Sequence, residues 1–303
     1  MKNLETKLAG LTLKNPVMTA SGTFASGKEY GEFFDLNTLG AIVCKGVSID
    51  PWLGNPPHRI AETYGGMLNA IGLQNRGADD FIQDDLLFMK QFQPSGTKVI
   101  INLCGKTIEE YVAVTEAFVG QGADAYELNI SCPNIKEGGM AFGTDPKAAA
   151  SVISAVKKVA DVPIIAKLSP NVTDITEIAR AVEAAGADAI SMINTLTGML
   201  INIHEKKPVL SIGSGGLSGP AVKPVAIHLT QRVAKSVKLP IIGMGGIMTG
   251  EDAIEFILAG ATAVAVGTAN FANPRATQTV LSGIVDYMDQ HGIKALSEIR
   301  GMV

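Results

Sequence analysis

The chain has 303 residues, of which 47% are hydrophobic, 18% charged and 5% aromatic, with a formal net charge of −4. This balance excludes a disordered chain, and it supplies no basic field to attract phosphate backbones or anionic headgroups. Neither nucleic acid nor a membrane is therefore an expected partner. Because α/β barrels run to about 250 residues or more as one unit, residues 1–303 are read as a single domain.

Segment 1–15 lacks the unbroken apolar core of a signal peptide, and no later apolar run is long enough to span a bilayer, so the expected location is the cytoplasm. Beyond it, short β-branched runs recur at 16–20, 41–45, 98–103, 125–131, 163–169, 189–194, 240–245 and 263–268. They read as eight strands. Helix starts lie between most of them: Thr107 with Glu110, Asp145 before Pro146, Asp174 with Glu177, Thr249 before Glu251, and Asn273 before Pro274. An echo of Gly122-Ala123-Asp124-Ala125 recurs at Gly186-Ala187-Asp188-Ala189 and Gly260-Ala261-Thr262-Ala263, each ending a helix and opening a strand.

Eight such units specify a (β/α)8 TIM barrel, since a doubly wound sheet would show a glycine-rich fingerprint at its first turn and Ser21-Gly22-Thr23 is not one. Three strand-to-helix segments, 46–76, 132–144 and 195–220, are unusually long loops, and all fall on the C-terminal face where barrels place their chemistry.

Polar residues end otherwise apolar strands at Lys45, Asn102, Asn129, Lys167 and Asn194, which favours a polar ligand over a self-satisfied network. Neither lysine has an acidic residue on its own strand end, which implies an anionic or electron-rich partner from outside the chain. A desolvated Lys167 would also suit Schiff-base chemistry, and the sequence leaves that open. Glycines at 215, 216 and 219, at Gly243-Met244-Gly245-Gly246 and at Gly267-Thr268 form the phosphate cup that barrels build after their last strands.

Cys44 and Cys104 sit in apolar strands as inert small hydrophobes, whereas Cys132 falls where the fourth strand breaks into a glycine-bearing loop suited to a lid. The cysteines form no CxxC pair, and His58, His204, His228 and His291 have no ligand spacing, so no metal site is expected.

Six ordered segments carry a resemblance to the class 1 dihydroorotate dehydrogenases over nearly the whole chain: Ser21-Gly22-Thr23-Phe24, Cys44-Lys45-Gly46-Val47, Asn69-Ala70-Ile71-Gly72-Leu73-Gln74-Asn75, Asn129-Ile130-Ser131-Cys132-Pro133-Asn134, Ile164-Ile165-Ala166-Lys167-Leu168 and Gly245-Gly246-Ile247. The resemblance implies FMN, with phosphate near Gly219, Gly245, Gly246, Gly267 and Thr268, and Ser21, Lys45, Gly46, Asn102, Asn129, Lys167 and Ile193 around the ring and ribityl chain. It implies substrate contacts from Lys45, Asn69, Ala70, Ile71, Gly72, Leu73, Asn129, Asn194 and Thr195.

By the same resemblance, Cys132 is the general base and Lys167 a fixed positive charge beside the flavin. Ser21-Gly22-Thr23-Phe24 and Gln74 look most like the class 1B catalytic subunit, which passes electrons to NAD through a partner bearing FAD and a [2Fe-2S] cluster, in a heterotetramer around a homodimer core. The class 1A alternative is a homodimer that uses fumarate. Cys104 departs from the small residue that the family would place there.

Overall fold

A computed structural model describes residues 3–130 and 142–303. Eight parallel strands close into a barrel: Val17–Thr19, Ala41–Val43, Lys98–Leu103, Ala125–Leu128, Ile164–Lys167, Ala189–Met192, Ile241–Met244 and Ala263–Val266. Each falls within a segment expected from the β-branched runs.

Side-chain alternation along these strands builds two cores. Ile100, Ala125, Ile165, Ala189, Ile242 and Ala263 point into the barrel, while their neighbours Ile101, Tyr126, Ala166 and Ile190 pack outward against the helices. The barrel floor is closed by an antiparallel hairpin, Thr6–Leu8 with Leu11–Leu13, whose Leu8 and Leu13 are fully buried in the inner cluster.

The glycine echoes have a common mechanics. Gly122, Gly186 and Gly260 take φ of 88°, 97° and 113°, a region costly for any residue with a Cβ, and so end their helices. The Asp two residues on then ties adjacent strands together: Asp124 Oδ2 accepts from the Val99 amide at 2.9 Å and Asp188 Oδ2 from the Ile164 amide at 2.8 Å.

Helix caps follow the sequence with two differences. Thr249 caps its helix as expected, in a reciprocal box with Asp252, whereas Thr107 accepts from the Glu110 amide but Glu110 returns its carboxylate to the Lys106 amide and not to that of Thr107. The final helix, Ala276–Gln290, starts after Arg275, because Asn273 closes the short helix Ala269–Ala272 and turns its own side chain to the Arg275 amide at 3.0 Å.

The long segments 46–76 and 195–220 are not simple loops. They pair into a four-stranded antiparallel sheet over the C-terminal face, ordered Leu196–Gly198, Gly215–Ser218, Gly66–Asn69 and Ile60–Thr63. Glycine permits this layer: a Cβ on Gly66 would lie 2.0 Å from the Ser218 carbonyl oxygen, and one on Gly216 2.1 Å from Thr195 Oγ1. Glycines 215 and 216 thus serve close strand packing as well as the cavity below.

Candidate active site

Two residues beyond Ile100, Ala125, Ile165 and Ala189, the inward face of four adjacent strands turns polar: Asn102, Glu127, Lys167 and Ser191, each at most 5% exposed. Such a layer is tolerated only if its members satisfy one another or a ligand. Glu127 Oε1 accepts from Asn102 Nδ2 at 2.5 Å and lies 3.5 Å from Lys167 Nζ, which in turn is 2.9 Å from Ser21 Oγ. Asn102 Oδ1 and Ser191 Oγ find no hydrogen-bond partner among the described residues.

The absence of an acidic residue on the strand of Lys167 is therefore answered from the adjacent strand. Glu127 is the functional candidate that sequence reasoning missed. Its signal was present, a carboxylate in an otherwise apolar strand, but pairing across strands is invisible in a linear reading.

Above this layer lies a cavity of about 530 Å³, between the barrel mouth and the covering sheet. Ser21, Lys45, Gly46, Asn129, Lys167 and Ile193 line it, as do Gly219, Gly245, Gly246, Gly267 and Thr268. Asn69, Ile71, Gly72, Leu73, Asn194 and Thr195 complete the part expected to meet substrate.

Two expected residues stand behind the wall. Ala70 turns away into a small apolar cluster with Leu68 and Leu210. Asn102 is covered by Gly46, where a Cβ would come within 2.9 Å of Asn102 Oδ1. Met67 and Ser218, from the long segments expected on this face, and Phe271, from the short helix after the last strand, join the lining.

Backbone and amide bonds fix the polar groups. The Tyr111 hydroxyl donates to the Asn129 carbonyl at 2.8 Å, and Asn194 Nδ2 reaches Asn129 Oδ1 at 3.4 Å. Asn194 Oδ1 also accepts from the Thr195 amide at 2.8 Å, while Asn171 Nδ2 donates to the Thr195 carbonyl at 3.0 Å. Asn69 Nδ2 contacts the Gly216 carbonyl at 3.3 Å, a bond between neighbouring strands of the covering sheet.

Gly219, Gly245 and Gly246 have φ of 104°, 125° and 80°, so the wall built by the last strands and the covering sheet presents bare backbone at these positions, between side chains such as Met244 and Ile247. Closure of the barrel puts the seventh and eighth strands across the ring from the third and fourth. These glycines thus face the strands that end in Asn102, Glu127 and Asn129.

Cys44 is fully buried, and that burial pushes its thiol well above the ordinary range although its sulfur accepts from the Asn102 amide at 3.3 Å. It is packing, as expected. Cys104 is equally buried, beside Gly46. Cys132 lies outside the described residues, as does most of the 132–144 segment. Among the described residues no helix is long and apolar enough to cross a membrane.

The family model described as Dihydroorotate dehydrogenase matches residues 3–288. A protein of Alkaliphilus metalliredigens named dihydroorotate dehydrogenase B (NAD(+)), catalytic subunit, is 61% identical over 299 residues, covering 99% of this chain and 98% of that protein. A protein of the same name from Alkaliphilus oremlandii is 61% identical over 300 residues, with the same shares covered. Another, from Lachnoclostridium phytofermentans, is 60% identical over 301 residues, covering 99% of both chains. Matches that span the barrel, its floor hairpin and its covering sheet alike leave one assignment: the chain belongs to the dihydroorotate dehydrogenase family.

Proposed function

We propose that this chain is the FMN-binding catalytic subunit of an NAD-linked dihydroorotate dehydrogenase, which oxidises dihydroorotate to orotate in cytoplasmic pyrimidine synthesis. The observation that carries the reading is one cavity combining a buried Lys167 amine, the amides of Asn69, Asn129 and Asn194, and exposed glycine backbone at Gly219, Gly245, Gly246 and Gly267. The relatives' shared name supplies the reaction and the NAD linkage.

The residues present fit FMN. A volume of about 530 Å³ lies within the range of cofactor cavities. Gly219, Gly245, Gly246, Gly267 and Thr268 offer backbone to a phosphate, and Ser21, Lys45, Asn129 and Lys167 bring polar side chains to the same cavity. When bound, FMN supplies a hydride acceptor.

This chain's own groups then divide the remaining work. Lys167 is a fixed positive charge that favours negative charge arriving on the cavity side of the barrel. Lys45 answers the substrate carboxylate, and Asn69, Asn129, Asn194 and Thr195 offer hydrogen bonds that orient a flat, amide-bearing ring. Cys132, one residue past the Asn129-Ile130-Ser131 run, takes the proton from substrate C5 as hydride departs from C6; this role rests on the sequence resemblance. The covering sheet limits water at the reacting atoms.

A second chain carrying FAD and a [2Fe-2S] cluster would pass electrons on to NAD, with two copies of each subunit in the assembly. Ile60 and Phe271, 59% and 56% exposed at the cavity rim, are apolar surface that a partner would cover. The Schiff-base reading of Lys167 finds no support, since Ser21 and Glu127 already engage its amine.

The test is anaerobic titration of the purified protein. We expect a yellow protein whose flavin absorbance bleaches on adding dihydroorotate and returns with NAD when the partner chain is present. A colourless protein, or a flavin inert to dihydroorotate, refutes the assignment; reoxidation by fumarate without a partner would move it to the homodimeric class.

A further inference from the structure

We infer that Glu127 is a positioning residue for the flavin site: it pins the Lys167 ammonium against Ser21 and offsets the charge that the cavity wall presents. The inference rests on the reading that FMN occupies the cavity. Glu127 does not line that cavity, so it acts by holding Lys167 and through the field of its own carboxylate, and not by contact with a ligand.

Its setting is difficult to explain as packing. The carboxylate is 1% exposed, inside a barrel whose next layer down is filled by Ile100, Ala125, Ile165 and Ala189. An apolar residue would fill that place without the desolvation cost of a buried charge. Glu127 Oε1 is instead shared between Asn102 Nδ2, at 2.5 Å, and Lys167 Nζ, at 3.5 Å. Lysine is a flexible point charge on a four-carbon stem. Held between Glu127 and, at 2.9 Å, Ser21 Oγ, its ammonium has one place to be.

The electrostatic consequence is specific. The Glu127 carboxylate, one layer behind Lys167, offsets part of the positive charge that the lysine presents to the cavity, so reduction of a bound flavin meets a moderated positive field. Glu127→Gln keeps the size of the side chain and an oxygen for Asn102, but it leaves one positive charge uncompensated in a poorly screened interior. Adding electrons to the flavin then becomes easier.

The experiment measures the midpoint potential of flavin in the purified holoenzyme and in the Glu127→Gln and Glu127→Asp variants. We expect Glu127→Gln to shift the reduction equilibrium toward reduced flavin at least about tenfold, roughly 30 mV upward for a two-electron couple. Glu127→Asp, which keeps the charge, should lie within about threefold of wild type, roughly 15 mV by the same conversion. A Gln variant at the wild-type potential, or one shifted downward, overturns the inference, since a purely structural acceptor is replaced by Gln without a potential change.

Should Glu127→Gln not accumulate as folded protein, Lys167→Gln is compared with the Lys167→Gln, Glu127→Gln double variant. The double variant should have the higher potential by the same margin, and equality overturns the inference. A wild-type protein without flavin overturns the functional reading and this inference together, whereas a flavin-bearing wild type with unmoved variants overturns the inference alone.

Discussion

Gly250, at the start of the helix Gly250–Leu258, and Gly283, in the final helix Ala276–Gln290, meet backbone to backbone: a Cβ on Gly250 would lie 2.3 Å from the Gly283 carbonyl carbon. A Cβ on Gly283 would in turn lie 2.9 Å from the Gly250 Cα. The atoms in the way are main chain and cannot rotate aside. In an isolated helix, alanine would gain up to about 1 kcal/mol over glycine. Overpacking costs about 1–3 kcal/mol and here outweighs that gain. Gly250→Ala is therefore expected to destabilise the fold by about 2 kcal/mol, read as a lowered urea midpoint at unchanged slope. An unchanged or raised midpoint would show that the helices part without strain.

Asp188 is expected to matter beyond its surface position. Its Oδ2 accepts from the Ile164 amide at 2.8 Å and pairs with Lys157 Nζ at 2.5 Å. The ion pair is partly exposed and contributes little. The amide bond governs, because Asp188→Ala leaves a donor at a fully buried strand residue without its acceptor, which costs about 1–3 kcal/mol. Asp188→Asn, whose oxygen still accepts, should recover most of that stability in the same unfolding assay. Equal losses in both variants would assign the effect to the charge instead.

These two cases show what a linear reading reaches. The barrel was legible because each strand is a short β-branched run and each echo glycine ends a helix, both local properties. The covering sheet was not. Gly215–Ser218 reads as a turn, and becomes a strand only by pairing with Gly66–Asn69, far away in the chain. The same reason hid Glu127, whose partners Asn102 and Lys167 belong to the strands on either side. Ala70 and Asn102 were expected at the ligand from the family resemblance, and Asn102 also as a polar residue ending an apolar strand. Alternation and the Gly46 backbone set them one layer back.

The capping box at Thr249 and Asp252 predicts an acid-sensitive contribution to stability. Burial works against ionisation of Asp252, yet the Lys223 ammonium at 2.5 Å and the Met248 and Thr249 amides hold its carboxyl below the ordinary range. A carboxyl depressed in the folded state stabilises above its unfolded pKa, about 3.9, and loses that contribution as pH falls through the folded value. Lys223 is shifted upward by hydrogen bonds to Asp252 and Glu255, so its contribution persists below the usual lysine range and fades only on strong alkalinisation. Asp252→Asn should thus cost on the order of 1 kcal/mol at pH 7, and the gap to wild type should close below about pH 4. A gap independent of pH would mean that the cap acts through geometry and not charge.

The proposed chemistry makes its sharpest prediction at Cys132. If that thiol is the base that accepts the C5 proton, only its thiolate is competent, and an ordinary thiol pKa near 8.5 leaves a small ionised fraction at neutral pH. The rate of anaerobic flavin bleaching by dihydroorotate should then climb about tenfold per pH unit below that value and level off above it. Cys132→Ala should lower the rate by about 10²–10⁴-fold while the protein keeps its flavin, because the base is lost and the cavity of Lys167, Asn129 and the glycine wall is not. Cys132→Ser, with a far weaker acid in place of the thiol, should retain slow bleaching that rises with pH without a plateau in the accessible range. The comparison separates two roles for one residue. A Cys132→Ala enzyme that bleaches at the wild-type rate assigns the proton to another group, whereas one that has lost its flavin makes Cys132 part of the binding site.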